Sequence, residues 1–181
     1  MRRQIMWTAR QWPGSEHLDL QVGHDGVVAD GLIIVAPTGE PIRLAYRIEC
    51  DRAWHTRKVT LERHGHERTT LDHNEHDHWI VNGRERSDLT GCTDVDIALT
   101  PFTNTLPIRR LGLNLGDAAD LRVVYIRPEA DLTIEPAEQR YTRLDAGYRY
   151  ESGSFRADLA VDRDGLVTDY PGLWSMEQPS A

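Results

Sequence analysis

Little in this sequence points to metals, crosslinks, membranes or a ready-made catalytic motif. Two cysteines occur among 181 residues, Cys50 and Cys92, 42 positions apart. That spacing fits no metal-ligand pattern. Reduced core thiols are expected, with a single disulfide as the alternative. The longest apolar run reaches only from Leu32 to Ala36. A membrane-spanning helix needs ~18 apolar residues, so no transmembrane segment is expected. The opening stretch MRRQIMWTARQW carries basic residues without an apolar segment behind them. It therefore does not read as a secretory signal, and a cytoplasmic location is the expectation. There is no G-x-S-x-G, no P-loop and no G-x-G-x-x-G, which lowers the case for an enzyme. Cations are short as well, with 21 Lys and Arg against 29 Asp and Glu, a net charge of −8. An acidic surface argues against nucleic acid and anionic membrane as partners, since both need basic patches. Nothing calls for a cofactor.

What is present is the composition of a folded domain, 39% hydrophobic and 28% charged. The length suits one domain over residues 1–181, burying about 70% of its unfolded surface. The last four residues, QPSA, are expected to fray. The dominant period is two. Leu18, Leu20 and Val22 alternate with polar neighbours, as do Leu44, Tyr46 and Ile48. Val59 with Leu61, Val95 with Ile97 and Leu99, and Phe155 to Val161 repeat the pattern. Each predicts a strand with one buried face. Val27 to Ala36 and Leu121 to Ile126 are apolar on both faces and read as more fully covered. His24-Asp25-Gly26, Gly65, Asn82-Gly83, Gly153 and Asp164-Gly165 mark turns, Asn82-Gly83 being the strongest hairpin signal. Helix signals are few. Leu106 to Leu111 predicts one short helix, with Pro107 in its first turn and Gly112 and Gly116 to stop it. The prediction is an all-β, single-domain antiparallel open β-barrel or half-barrel with one or two short helices.

Three constellations could carry chemistry. His64, His66, His73, His76 and His78 crowd into one stretch, but Asp72, Asn74, Glu75 and Asp77 among them give it the composition of a solvated turn. An exposed polar loop is expected there, not a metal site. Asp94 and Asp96 share a strand face, roughly 7 Å apart by the ~3.3 Å rise per residue. That spacing suits paired carboxylates, although neighbours on one strand rarely flank a scissile bond. Aromatics gather late in the chain, with Tyr141, Tyr148, Tyr150, Phe155, Tyr170 and Trp174. Such rings can stack on sugars or line a cavity, or simply fill a core.

Asp51-Arg52-Ala53-Trp54-His55-Thr56-Arg57, the long stretch from Gly91 to Arg110 with its TPFTNTLPIRR run, and Tyr148-Arg149-Tyr150-Glu151-Ser152 with Gly165 to Trp174 together resemble one bacterial family. It is the glycolipid-binding family, formerly a domain of unknown function. The resemblance runs from about Trp7 to Met176. One departure is His55, where the family is expected to carry Arg more often. The resemblance implies an open β-barrel similar to Lol-type lipoprotein carriers and no established catalytic residues.

The leading expectation is a non-enzymatic module that holds a glycolipid or another amphipathic, fatty-acyl ligand in an apolar cavity with polar groups at its mouth. The candidate site is Asp51, Trp54, Arg57, Asp94, Asp96, Thr103, Asn104, Arg109, Tyr148, Tyr150, Asp169, Tyr170 and Trp174. In that reading Trp54, Tyr148 and Trp174 stack on the ligand. Arg57 and Arg109 pair with an anionic or hydroxylated head group, and Asp94 and Asp96 accept hydroxyl donors. More blandly, the TPFTNTLPIRR run is a structural crossover and Arg57 pairs with Asp94 or Asp96. The alternative function is a hydrolase or isomerase acting on a sugar or lipid, with Asp94 or Asp96 as acid/base.

Overall fold

In a computed structural model the chain is described over residues 1–129 and 132–177. The stretch expected to fray, QPSA, lies outside the described residues. Two meanders make up the sheet. The first holds β1 (Arg2–Ala9), β2 (Gly14–Val22), β3 (Val27–Val35), β4 (Ile42–Cys50), β5 (Thr56–Arg63), β6 (Thr69–His73), β7 (Trp79–Val81) and β8 (Arg84–Glu85). The second holds β9 (Cys92–Ile97), β10 (Ala118–Arg127), β11 (Thr133–Leu144), β12 (Gly147–Ser152), β13 (Phe155–Val161), β14 (Val167–Tyr170) and β15 (Trp174–Met176). Pairing of β1 with β15 joins them into one sheet that runs from β8 down to β1, then from β15 down to β9. The sheet order ends at β8 and β9, so the barrel stays open. A side chain bridges the gap: the Trp79 indole Nε1 of β7 donates to the Cys92 carbonyl of β9 at 2.8 Å.

The alternating residues explain the curvature and the core. Leu44, Tyr46 and Ile48 of β4 are buried, while Arg43 just before them and Arg47 among them are exposed. The predicted hairpin lies at Asn82-Gly83, with φ of 48° and 77°, the left-handed pair that a two-residue turn of this type demands. At Gly31 packing requires glycine. Gly31 of β3 sits directly opposite Tyr46, and a Cβ there would fall 2.1 Å from the ring.

Three expectations need correction. First, β3 is not covered on both faces. Its burial alternates, and Ile34 is 50% exposed. Second, one pair is parallel: β9 runs alongside β10, which requires the long crossover between them. Third, His73 is not part of a solvated loop. Its place beside Leu71 puts it on the inner face of β6, stacked on Trp79 at 4.4 Å. His64, His66, His76 and His78 are exposed.

The crossover supplies the helix. A short 3-10 turn, Phe102–Asn104, leads into α1 (Thr105–Leu111). Pro107 falls in its first turn, where its missing N–H costs nothing. Gly112, at φ 54°, closes the end with its N–H on the Ile108 carbonyl. Every residue from Thr100 to Ile108 is buried, so this segment plugs the inside of the half-barrel. Phe102 stacks near Tyr46 of β4. Tyr141 of β11 donates to Asn104 Oδ1 at 2.8 Å. Cys50 and Cys92 are free and buried, as the reduced-thiol reading expects, and burial pushes their thiols up to about 12 and about 11.

Candidate functional site

The buried plug, Thr100 to Ile108, lies inside the half-barrel. Beside it remains a cavity of about 410 Å³. Its walls are aromatic: Trp12 before β2, Tyr125 of β10, Tyr150 of β12, Phe155 of β13, Tyr170 of β14 and Trp174 of β15. Trp12 meets Trp174 edge-on at 6.3 Å, and Tyr150 contacts both Phe155 and Tyr170. These rings converge because period two sends Tyr150, Tyr170 and Trp174 to the same face of neighbouring strands. The Trp12 indole Nε1 is buried there without a hydrogen-bond partner among the described residues.

Asp96 is the polar centre. Its Oδ1 accepts from Thr103 Oγ1 at 2.9 Å, and its Oδ2 accepts from Gln139 Nε2 at 2.6 Å. Tyr150 Oη lies 3.4 Å from Oδ2 and accepts from Gln139 at 3.0 Å. Burial raises the Asp96 carboxyl, partly offset by these three neighbours. Burial, with the Asp96 charge behind it, also raises the phenols of Tyr125, Tyr150 and Tyr170, so all three remain neutral hydroxyls. The site can therefore stack on a flat or ring-shaped group and exchange hydrogen bonds with it through a carboxyl, an amide and phenols.

The structure brings Asp96, Asn104, Tyr150, Tyr170 and Trp174 of the predicted residues to this cavity, with Thr103 behind Asp96. Others go elsewhere. Asp94 is fully buried and does not line this cavity; it is held by Arg110 Nη2 at 2.6 Å and Nε at 3.1 Å. Arg57 pairs neither with Asp94 nor with Asp96 but with Asp51 at 2.7 Å, in the turn after β4. Asp169 pairs with Arg10 at 2.6 Å. Arg109 lies 5.3 Å over the Trp54 ring and shares with Tyr148 a separate, shallow cavity of about 320 Å³ toward Val161 of β13. Trp12 and Gln139 were not foreseen as site residues. Gln139 shares the parity of Tyr141 on β11, and that parity was the available signal.

The fold is an open half-barrel, and its aromatic, hydrogen-bonding pocket is the candidate ligand site among the described residues. The chain belongs to the family described as "Putative glycolipid-binding", whose profile matches residues 4–176. It is also similar to the crystal structure of a DUF1089 family protein from Pseudomonas aeruginosa. The two share 39% identity and a TM-score of 0.78, over 88% of this chain and 91% of that one. No curated protein matches the chain. No helix among the described residues is long and apolar enough to cross a membrane.

Proposed function

We propose that the protein binds, without transforming it, an amphipathic ligand whose sugar-like head group enters the Asp96 pocket. The observation that carries this reading is the convergence of six aromatic side chains around one hydrogen-bonded carboxyl. A cavity of about 410 Å³ lies at the small end of ligand pockets, which span roughly 300–1,000 Å³. That volume suits a head group and the first part of a chain. Phe155, Leu173 and Trp12 offer apolar surface for the part that follows. The family description supports the same ligand class. Likeness to Lol-type carriers and a cytoplasmic setting belong to the same proposal.

Native mass spectrometry of protein recovered from its own host tests it. Retention of a glycosylated or acylated small molecule is the expected result. Repeated recovery of empty protein that also ignores octyl glucoside in solution contradicts it. A second reading is favoured by one observation, the raised carboxyl of Asp96 beside a phenol. As a hydrolase or isomerase, the protein would use Asp96 alone as acid/base, since Asp94 is held by Arg110. Turnover on a glycoside or glycolipid panel, lost in Asp96→Asn, would favour it.

A further inference from the structure

We propose that the head group bound in the aromatic pocket carries a cationic nitrogen, as in an amino sugar or another amine-bearing lipid, with Asp96 as its counter-ion. This rests on the pocket reading above and narrows it. The two aspartates of β9 make the argument. Asp94 is charge-balanced by a two-pronged contact with Arg110. Asp96, two residues on, receives only neutral donors: Thr103, Gln139 and Tyr150. Among the described residues, no Arg, Lys or His lines the cavity. The other acid there, Glu135, is exposed and already paired with Arg127 at 2.8 Å. Asp96 is thus the acid of the pocket left without a cation among the described residues.

Even a half-buried carboxylate such as Asp96 is costly without a cationic partner, and a ligand that supplies the cation removes that cost on binding. The carboxylate has about four acceptor positions, of which its protein neighbours use at most three. The walls suit the same ligand. Faces of Trp and Tyr attract a cation within about 6 Å of the ring centre, and rings of this kind form cages for ammonium groups. Phosphate or carboxylate head groups find no positive partner in this cavity and face Asp96.

Calorimetric titration of the full chain separates the possibilities. The probes are octyl glucoside, octyl glucosaminide and its N-acetylated form, which keeps the nitrogen and loses the charge. The parent protein should bind octyl glucosaminide on the order of tenfold more tightly than either neutral probe. Asp96→Asn should bind all three alike while still binding octyl glucoside. Equal affinity for the charged and neutral probes in the parent, or an amine preference that survives in Asp96→Asn, overturns the inference and leaves the pocket reading standing. Failure of all three probes to bind removes both. If Asp96→Asn does not fold, the charged-against-acetylated comparison in the parent decides alone.

Discussion

Glu16 of β2 shows what a single group can reveal about this interior. Its Oε1 accepts from Tyr46 at 2.5 Å and from Thr100 at 2.8 Å, while its Oε2 is buried with no partner among the described residues. Burial outweighs both hydrogen bonds and raises the carboxyl from 4.5 to about 8. Between those two values the folded chain keeps a proton that the unfolded chain has released. Stability from this group therefore falls as pH rises through that window, by at most about 1.4 kcal/mol per pH unit, and levels off above it. Glu16→Gln removes the titration and keeps the shape. Urea denaturation at about pH 5 and about pH 8 should show a smaller loss in Glu16→Gln than in the parent. An identical loss in both would show that Glu16 does not control this window.

Among the elements, the plug formed by the 3-10 turn and α1 positions the site. It carries Thr103 and Asn104 to the pocket and is tied to β9 through Arg110 and Asp94. Arg110→Ala leaves the fully buried Asp94 carboxylate without its cation. A loss of about 3–5 kcal/mol is expected in equilibrium unfolding. A change below about 1 kcal/mol would mean that the pair does not anchor the plug. The strands themselves were legible in the sequence. Period two located the inner faces, and Asn82-Gly83 located a two-residue hairpin, because both signals are local. The plug's position was not legible. The Leu106 to Leu111 pattern announces a short helix, but only tertiary packing decides that it enters the barrel and runs between parallel strands. The apolar Val27 to Ala36 stretch misled for a related reason. Composition reports what a strand could bury, whereas its neighbours decide what it does bury, and Ile34 faces outward. Within the site, Tyr150, Tyr170 and Trp174 stood out as members of the aromatic cluster late in the chain. Gln139 did not, because a polar residue in a strand ordinarily points to solvent.

For the whole molecule, the sheet closes far enough to bury a core but not far enough to seal itself. The plug then fills the inside unevenly. Tyr46 and Phe102 are buried against one another, while a cavity lies beside Asp96. The aromatic–arginine contacts, Arg109 over Trp54 and Arg143 over Tyr148, use none of the residues that line that hollow. The five tryptophans sample these regions separately. Trp7 and Trp79 donate their indole N–H groups to the Val167 and Cys92 carbonyls inside the core. Trp12 and Trp174 line the pocket, and Trp54 reports on the Arg109 side. A titration of the labelled protein with octyl glucoside, followed through its five indole N–H signals by NMR, therefore reads the location of the ligand directly. The pocket account predicts shifts at Trp12 and Trp174 with Trp7, Trp79 and Trp54 unmoved. Shifts confined to Trp54, or no shift at saturating ligand, would contradict it.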